Sequence, residues 1–526
     1  MTLLRKIMIF TIFFFLMAGL AIGPAQTQVA QAQAATVVYN LYATDGYVEM
    51  ADGNAVYTYG FIGGREGLPF IYQSSCIPGV DDTGARICTG STNVPVQGGA
   101  PAPTGGPWSG IDSQLAGNAQ FPAPVISAAA GDVVEIRLKN LGVAANPVAP
   151  NDPHSIHLHG LDVDAANDGV PETSVGAVPA NLCDDGSTAA PGNTCATPAP
   201  GAGNVVVYMF TPAFPGTYMY HCHQEADIHV NMGMYGALVV YNPGELGASA
   251  GPGNSGNLYG WPYDKDVIML LSEMDVRGHA DEEGTYGTPL VPNQTWDPFP
   301  YNWALYQPQY WFINGLSFPQ TIHAGFPSGY AFADWLLAHP GYDPLITGSV
   351  SAVNPFYGTQ NLGQKVLIRV INMGFETQPM HMHGFHGKIL GSDQRAWDWA
   401  NKAPTGKKPT KFGGGLEKNT LTIGSGETYD WLVDFGQQAV ASMYPAGTES
   451  RYVPGTNLPD VNGSGNPAIP VGGFGPDTYI GGPTVSGAVG LNSTSQFFPF
   501  HNHDDYKATN NGVYPGGMFT MLVPLP

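Results

Sequence analysis

Residues 131–140 read GDVVEIRLKN, and residues 363–372 read GQKVLIRVIN. Each begins at a glycine and continues through β-branched residues spaced by charged or polar ones, the pattern of a strand entered from a tight turn. The likeness continues downstream in the same order. HSIHLHG (154–160) answers QPMHMHG (378–384), and HCH (221–223) answers HNH (501–503). Each of these closing units runs on to a Gly-rich turn and an apolar strand. The chain therefore contains two copies of one β-domain.

Short β-branched and aromatic runs recur between turn residues on both sides of this repeat. They are Val37–Tyr42, Ala55–Phe61, Val133–Lys139, Val205–Phe210, Ala237–Tyr241, Val267–Leu271, Lys365–Ile371, Glu427–Phe435 and Met518–Val523. Helical periodicity is scarce, so the pattern predicts an all-β chain of sandwiches or barrels. The expected division is a first domain over 35–243, a linker over 244–263 rich in Gly, Ser, Pro and Asn, and a second domain over 264–526. Long loops are expected at Ile62–Gln120 and Tyr444–Phe497.

The chain opens with Arg5 and Lys6, an apolar run from Ile7 to Gly23, and a small-residue stretch ending Ala32-Gln33-Ala34. That order describes a signal peptide over 1–34 and an exported protein, periplasmic or extracellular. A retained anchor is the competing reading, disfavoured because nothing basic or aromatic follows the apolar run. No later stretch is long enough to span a bilayer. Lys and Arg number 19 against 41 Asp and Glu, a net charge of −22. Such a surface repels nucleic acid and anionic membranes and attracts cations, although solubility alone also accounts for it.

Five cysteines divide as four plus one. Cys76 and Cys88 are separated by eleven residues, as are Cys183 and Cys195, and both pairs lie in loop-like segments. In an oxidising compartment two local disulfides are expected, though spacing does not exclude other pairings. Cys222 is left over, between two histidines.

Eight of the fourteen histidines fall into H-x-H pairs: His157/His159, His221/His223, His381/His383 and His501/His503. On a strand, residues i and i+2 share a face, so each pair aims two imidazoles at one point. Eight imidazoles with no thiolate among them suit several coppers better than one structural zinc, which takes four ligands and favours thiolates. Cys222 and His154 point the opposite way from the pairs beside them. With His229 and Met234 they make the two-imidazole, one-thiolate, axial-thioether set of a blue-copper site. The tripeptide 221–223 then links both sites covalently.

On HSIHLHG, DGVP from Asp168, YHCH with its later histidine and methionine, QPMHMHG and FHNH, the chain resembles the multicopper oxidases, in their two-domain, laccase-like branch. The resemblance implies two cupredoxin-like Greek-key β-sandwich domains with long loop insertions. It also implies copper as cofactor, four ions per functional unit. His154, Cys222, His229 and Met234 are the implied type 1 ligands. His157 and His381 are implied for type 2, and His159, His221, His223, His383, His501 and His503 for the type 3 pair. Asp168 matches a carboxylate that helps deliver protons near the type 2 copper, while an ordinary Asp-Gly turn also explains it.

Two departures stand out. Six residues separate Cys222 from His229 where the usual motif has four, while His229-x4-Met234 keeps its spacing and selects Met234 over Met232. In the second copy Gln378 and Asn502 replace histidine and cysteine, so only the first domain is expected to hold a type 1 copper. Glu225 and Asp227, in the lengthened loop, read as solvated acids, with passing protons or meeting a cationic donor the alternative; His279, His323, His339 and His386 read as structural or surface residues, with support of the neighbouring ligands the alternative for His386.

Each domain supplies four cluster histidines, and two-domain relatives form head-to-tail homotrimers, so a homotrimer is expected; the sequence equally permits a cluster within one chain. The implied reaction couples four one-electron oxidations of a small reducing substrate to reduction of dioxygen to water. Phenolic donors are the leading expectation and Mn(II), Fe(II) or Cu(I) the alternative. Remoter readings are a copper nitrite reductase and a non-enzymatic exported copper or electron-transfer protein.

Overall fold

The computed structural model describes residues 35–525 except 71–75, 92–98, 107, 109, 191–192, 194, 248–250, 286–300, 323–331, 350–362, 398–415 and 439–497. The expected signal segment, the loop at Tyr444–Phe497 and His323 lie outside the described residues. No described helix is long and apolar enough to cross a membrane.

In the first half the strands are β1 (Thr36–Glu49), β2 (Ala55–Arg65), β3 (Cys76–Val80), β4 (Arg86–Ser91), β5 (Ile126–Ala129), β6 (Val133–Asn140), β7 (His157–His159), β8 (Val206–Phe210), β9 (Gly216–His221) and β10 (Tyr235–Tyr241). The second half has β11 (Gly256–Leu258), β12 (Trp261–Tyr263), β13 (Lys265–Met274), β14 (Tyr310–Ile313), β15 (Ile346–Ser349), β16 (Lys365–Asn372), β17 (Gln378–Met382), β18 (Gly387–Ser392), β19 (Arg395–Ala396), β20 (Glu417–Lys418), β21 (Thr420–Ile423), β22 (Thr428–Asp434), β23 (Phe498–Asn502) and β24 (Phe519–Leu525). Each run expected from sequence falls on a strand, and several strands extend well beyond the run, β1 to Glu49, β2 to Arg65 and β13 from Lys265 to Met274.

The first sandwich faces a β2-β1-β6-β8 sheet against a β5-β10-β9-β7 sheet. The second faces β14-β13-β16-β22-β18-β19 against β15-β24-β23-β17-β21. Pairings repeat between the halves. Parallel β1·β6 recurs as β13·β16, and parallel β5·β10 as β15·β24. Antiparallel β10·β9 and β9·β7 recur as β24·β23 and β23·β17. The duplicated sequence is thus a duplicated cupredoxin-like sandwich.

Alternation along β10 and β13 shows where the cores lie. Leu238 and Val240 enter the first core, while Ala237, Val239 and Tyr241 turn to a third apolar layer. Val267, Met269 and Leu271 enter the second core, and Ile268 and Leu270 join the same third layer. Both strands are buried on two faces, which is why ALVVY and VIMLL are apolar without a break. A buried polar anchor crosses this layer: Arg369 pairs with Asp266 at 2.8 Å, Tyr241 donates to Asp266 at 2.9 Å, and Thr217 donates to Asp430 at 2.6 Å.

Some structure escaped the sequence reading. The segment 62–120 contains the β3–β4 hairpin and a helical turn at Asp112–Leu115, and 244–263 contains the β11–β12 hairpin. Both expected disulfides, Cys76–Cys88 and Cys183–Cys195, are formed, and Cys222 is free and buried.

Candidate metal centres

β7 and β9 run antiparallel with His157 directly opposite His221, and β17 and β23 place His381 opposite His501. Directly opposed residues share a sheet face, so four imidazoles gather in each half. In the first half His157 lies 5.0 Å from His221 and 5.1 Å from His223, centroid to centroid, with His159 at 5.6 Å. In the second, His381 lies 4.9 Å from His383 and 5.1 Å from His503, and His383 lies 5.2 Å from His501.

Hydrogen bonds on one ring nitrogen present the other. His221 Nδ1 meets the Cys222 carbonyl at 2.9 Å, and His501 Nδ1 meets the Asn502 carbonyl at 2.8 Å. His381 Nδ1 contacts Thr420 Oγ1 at 2.7 Å. Each arrangement leaves Nε2 facing its neighbours, and His383 and His501 bring their Nε2 atoms to 3.1 Å. Burial lowers the His221 pKa to about 3, and lowers those of His159, His381, His383 and His501 in the same direction. The rings are neutral near pH 7 and their lone pairs are available to metal. Ligand nitrogens of His157, His159 and His221 lie within 4.8 Å of one another.

Among the described residues, no ring contact joins a histidine of the first set to one of the second. His383 and His503 are exposed. Each half presents its own imidazole cradle.

Asp168 caps the short helical turn Ala165–Asn167 and lies beside His157. Its main-chain carbonyl is 2.7 Å from His157 Nδ1, and its carboxylate is 3.3 Å away. Gly169 (φ +75°) lets this turn approach: a Cβ there would stand 2.0 Å from the Ile156 carbonyl. The turn expected at Asp168 is formed, and it lies against His157.

On the opposite face of the ligand strands lies the thiolate set. Cys222 Sγ stands 3.5 Å from His229 Nδ1 and 3.8 Å from His154 Nδ1, and all three residues are buried. The two extra residues before His229 are absorbed by a short helix, Ala226–His229, entered through Glu225 in the left-handed region at φ +42°. The unusual spacing therefore still delivers His229. Cys222 N–H donates to the Met234 carbonyl at 2.9 Å, next to the Tyr235–His221 pair. That register puts Met234 opposite Cys222, and Met232 and Met234 are both buried in the core cluster that holds Cys222.

Burial sets the electrostatics here. It pushes the Cys222 thiol up to about 11, lowers His229 to about 4 and holds His154 well below its usual range. A thiolate in this dry pocket needs a cation beside it. Neutral imidazoles, a thiol and a buried thioether side chain are the donors copper takes.

The second half shows the same scaffold without the metal donors. Asn502 N–H donates to the Met518 carbonyl at 2.9 Å, as Cys222 does to Met234. The Asn502 amide donates to Gln378 Oε1 at 2.7 Å and reaches Met518 Sδ at 3.3 Å, and Gln378 donates to Glu273 at 2.7 Å. A closed polar network fills the place.

Beside His229 lies an acidic group that sequence reasoning saw only in Glu225. Asp152 and Glu225 carboxylates cluster with a His229 nitrogen, and Tyr59 donates to Glu282 at 3.1 Å. Asp152 is two residues before His154 and could have been noticed; Glu282 arrives from a distant helix, Val276–Glu282, with no local signal. His279 is buried between the Tyr57 and Asn231 carbonyls, and His339 stacks on Trp335, so both are structural.

A family model described as multicopper oxidase matches residues 101–244 and 348–437. Over those two segments the chain is similar to the multicopper oxidases. A curated relative, L-ascorbate oxidase of Nicotiana tabacum, is 30% identical over 179 residues, covering 34% of this chain and 24% of that protein. The chain thus aligns with about a quarter of that relative's length. Among solved structures, the blue copper oxidase of Nitrosomonas europaea is 17% identical with a TM-score of 0.44, covering 92% of this chain and 85% of that one. The multicopper oxidase mgLAC is 18% identical with a TM-score of 0.45, covering 94% and 86%. Within this chain the donors are split: the Cys222 set in the first half, and an imidazole cradle in each half.

Proposed function

We propose that this chain is a multicopper oxidase, an exported, laccase-like oxidoreductase that draws electrons singly from a reducing substrate and passes them to dioxygen. When bound, copper supplies one-electron exchange at the thiolate set and reduction of dioxygen to water at the imidazole cluster. His154, Cys222, His229 and Met234 would hold the type 1 ion. His157 and His381 would hold type 2, and His159, His221, His223, His383, His501 and His503 the type 3 pair. The observation that carries this reading is the back-to-back placement of two donor triads, His154–Cys222–His229 and His157–His159–His221, on one tripeptide. The main chain of His221-Cys222-His223 gives electrons a covalent route between them.

Asp168 orients His157 through its main-chain carbonyl and holds a carboxylate close to the cradle, where a proton can be stored for oxygen reduction. Among the described residues no ring contact joins the two cradles, which supports a cluster completed between subunits, as a head-to-tail homotrimer would allow. The two disulfides fit an oxidising, extracytoplasmic compartment.

Copper-loaded protein should show thiolate-to-copper blue absorption and a copper content near four ions per chain, and should consume oxygen with a phenol, Mn(II) or Fe(II). Cys222→Ser should remove the blue absorption and the donor-driven uptake. Blue absorption without uptake from any donor would leave a copper-storage or electron-transfer protein instead.

A further inference from the structure

Seven tyrosines are buried in the first core, and they divide by what their phenols bond. Tyr39, Tyr208, Tyr218 and Tyr220 donate to the main-chain carbonyls of Ser127, Val175, Phe214 and Pro124. Tyr47, Tyr57 and Tyr59 donate to carboxylates instead: Glu283 at 2.7 Å, Asp45 at 3.0 Å and Glu282 at 3.1 Å. A phenol that loses an electron gives up its proton as well. A carboxylate can take that proton where a carbonyl cannot.

These three rings also stand in line. Tyr57 and Tyr59 are two apart on β2 and share its inward face, and Tyr47 on β1 lies directly opposite Tyr57. Ring centroids are 5.4 Å apart between Tyr47 and Tyr57, and 5.6 Å between Tyr57 and Tyr59. Tyr59 then meets His229 edge-on at 5.7 Å and His154 at 5.9 Å. Among the described residues, no other tyrosine and no tryptophan makes a ring contact with either histidine. Exposure marks the outer end: Tyr57 is 1% and Tyr59 2% exposed, whereas Tyr47 is 8% exposed. Arg86, half-buried, lies over the Tyr47 ring at 4.9 Å and pairs with Glu283.

The inner end gives this line its use. Cys222, Met232 and Met234 are buried there, and thiols and thioethers are readily oxidised. When dioxygen is engaged with fewer than four electrons at hand, an oxidising equivalent is left over beside them.

We propose that Tyr59, Tyr57 and Tyr47 form a relay that carries such an equivalent away from the thiolate set toward solvent when reducing substrate is short. The relay rests on the copper-oxidase reading above. Tyr59 gives one electron to the type 1 site and its phenolic proton to Glu282. An electron from Tyr57 refills Tyr59, which recovers its proton, while the Tyr57 proton moves to Asp45. Tyr47 repeats the step with Glu283, and a small organic one-electron reductant in solvent restores Tyr47. Each passage moves one electron inward and leaves no proton displaced, and dioxygen is the final oxidant.

The test reduces copper-loaded full-length protein with fewer than the four electrons that one dioxygen takes, mixes it with dioxygen and freezes it. The organic-radical signal is read by electron paramagnetic resonance, and blue absorption is read in every sample. Wild type should show a tyrosyl radical, identified by its narrowing in protein grown on ring-deuterated tyrosine. Tyr59→Phe should lose it. Tyr57→Phe keeps the ring contacts to His154 and His229, so the radical should form on Tyr59 and outlast that of wild type, because the way out is cut. Tyr342→Phe, in the third layer and bonded to the Ala123 carbonyl, should match wild type. If blue wild type gives no radical, if Tyr59→Phe keeps it or if Tyr342→Phe loses it, the relay is overturned while the oxidase reading stands. If Tyr59→Phe loses its blue absorption, Tyr57→Phe decides alone, and a radical that decays as in wild type overturns the relay. Wild type without blue absorption would overturn both.

Discussion

The Asn502 side-chain amide donates to Gln378 Oε1 at 2.7 Å, in the places that Cys222 and His154 occupy in the first sandwich. Two neutral amides close on each other where the other half leaves a thiol and imidazoles facing. Asn502→Ala strands Gln378 Oε1 in a buried site, so it should destabilise the protein by about 1–3 kcal/mol. Blue absorption per chain should not change, because this network holds no type 1 ligand. Denaturant unfolding and absorption on the same variant check both.

Met234 faces Cys222 across a strand pair, whereas the Met232 carbonyl receives the Tyr59 N–H at 3.0 Å in the preceding turn. Met234→Leu removes a weak axial donor that favours the oxidised ion. It should raise the reduction potential by on the order of 60 mV, about a tenfold change in the redox ratio. Met232→Leu should leave the potential in place. Redox titration of the blue absorption distinguishes the two.

Asp168→Asn keeps the turn and the main-chain contact to His157 but removes the carboxylate charge. Copper content and blue absorption should survive, while steady-state oxygen reduction falls on the order of ten- to a hundredfold. Unchanged turnover would reduce Asp168 to its role in the turn.

Two inactive chains should rescue each other. His157→Ala with His221→Ala disables the first cradle, and His381→Ala with His501→Ala disables the second. Co-expressed, they should recover oxygen uptake, since a first cradle from one chain can meet a second from the other in a mixed trimer. A cluster formed within each chain would give no recovery.

Glu273 accepts from Gln378 and the Phe375 and Glu376 amides, yet burial raises its pKa from 4.5 to about 7. Between those values the folded chain keeps a proton that the unfolded chain releases, so stability falls as pH rises through this window and levels off above it. Glu273→Gln should flatten that fall by about 1–3 kcal/mol between pH 4.5 and 7. Unfolding midpoints of both proteins across the range read it directly.

Much of the site was legible because its geometry is local. An H-x-H pair on a strand points to one face whatever the rest of the fold, and Cys222 between two such histidines must leave by the other. The repeat, carrying Gln378 and Asn502, showed which half lacks the thiolate set. The helix Ala226–His229 was not legible: two extra residues lengthen a loop in sequence, and only folding shows that they coil and return His229 to Cys222.

Strand positions and the two-faced pattern of donors were thus determined by residue spacing, since alternation acts over a few residues, whereas the cysteine pairing was expected from spacing and decided by the fold. The union of the two sandwiches through Tyr241 with Asp266 and Thr217 with Asp430, and the meeting of Asp152 and Glu225 beside His229, were decided by tertiary structure alone. Those groups lie far apart in the chain, and packing of buried faces, which no local pattern encodes, is what brings them together.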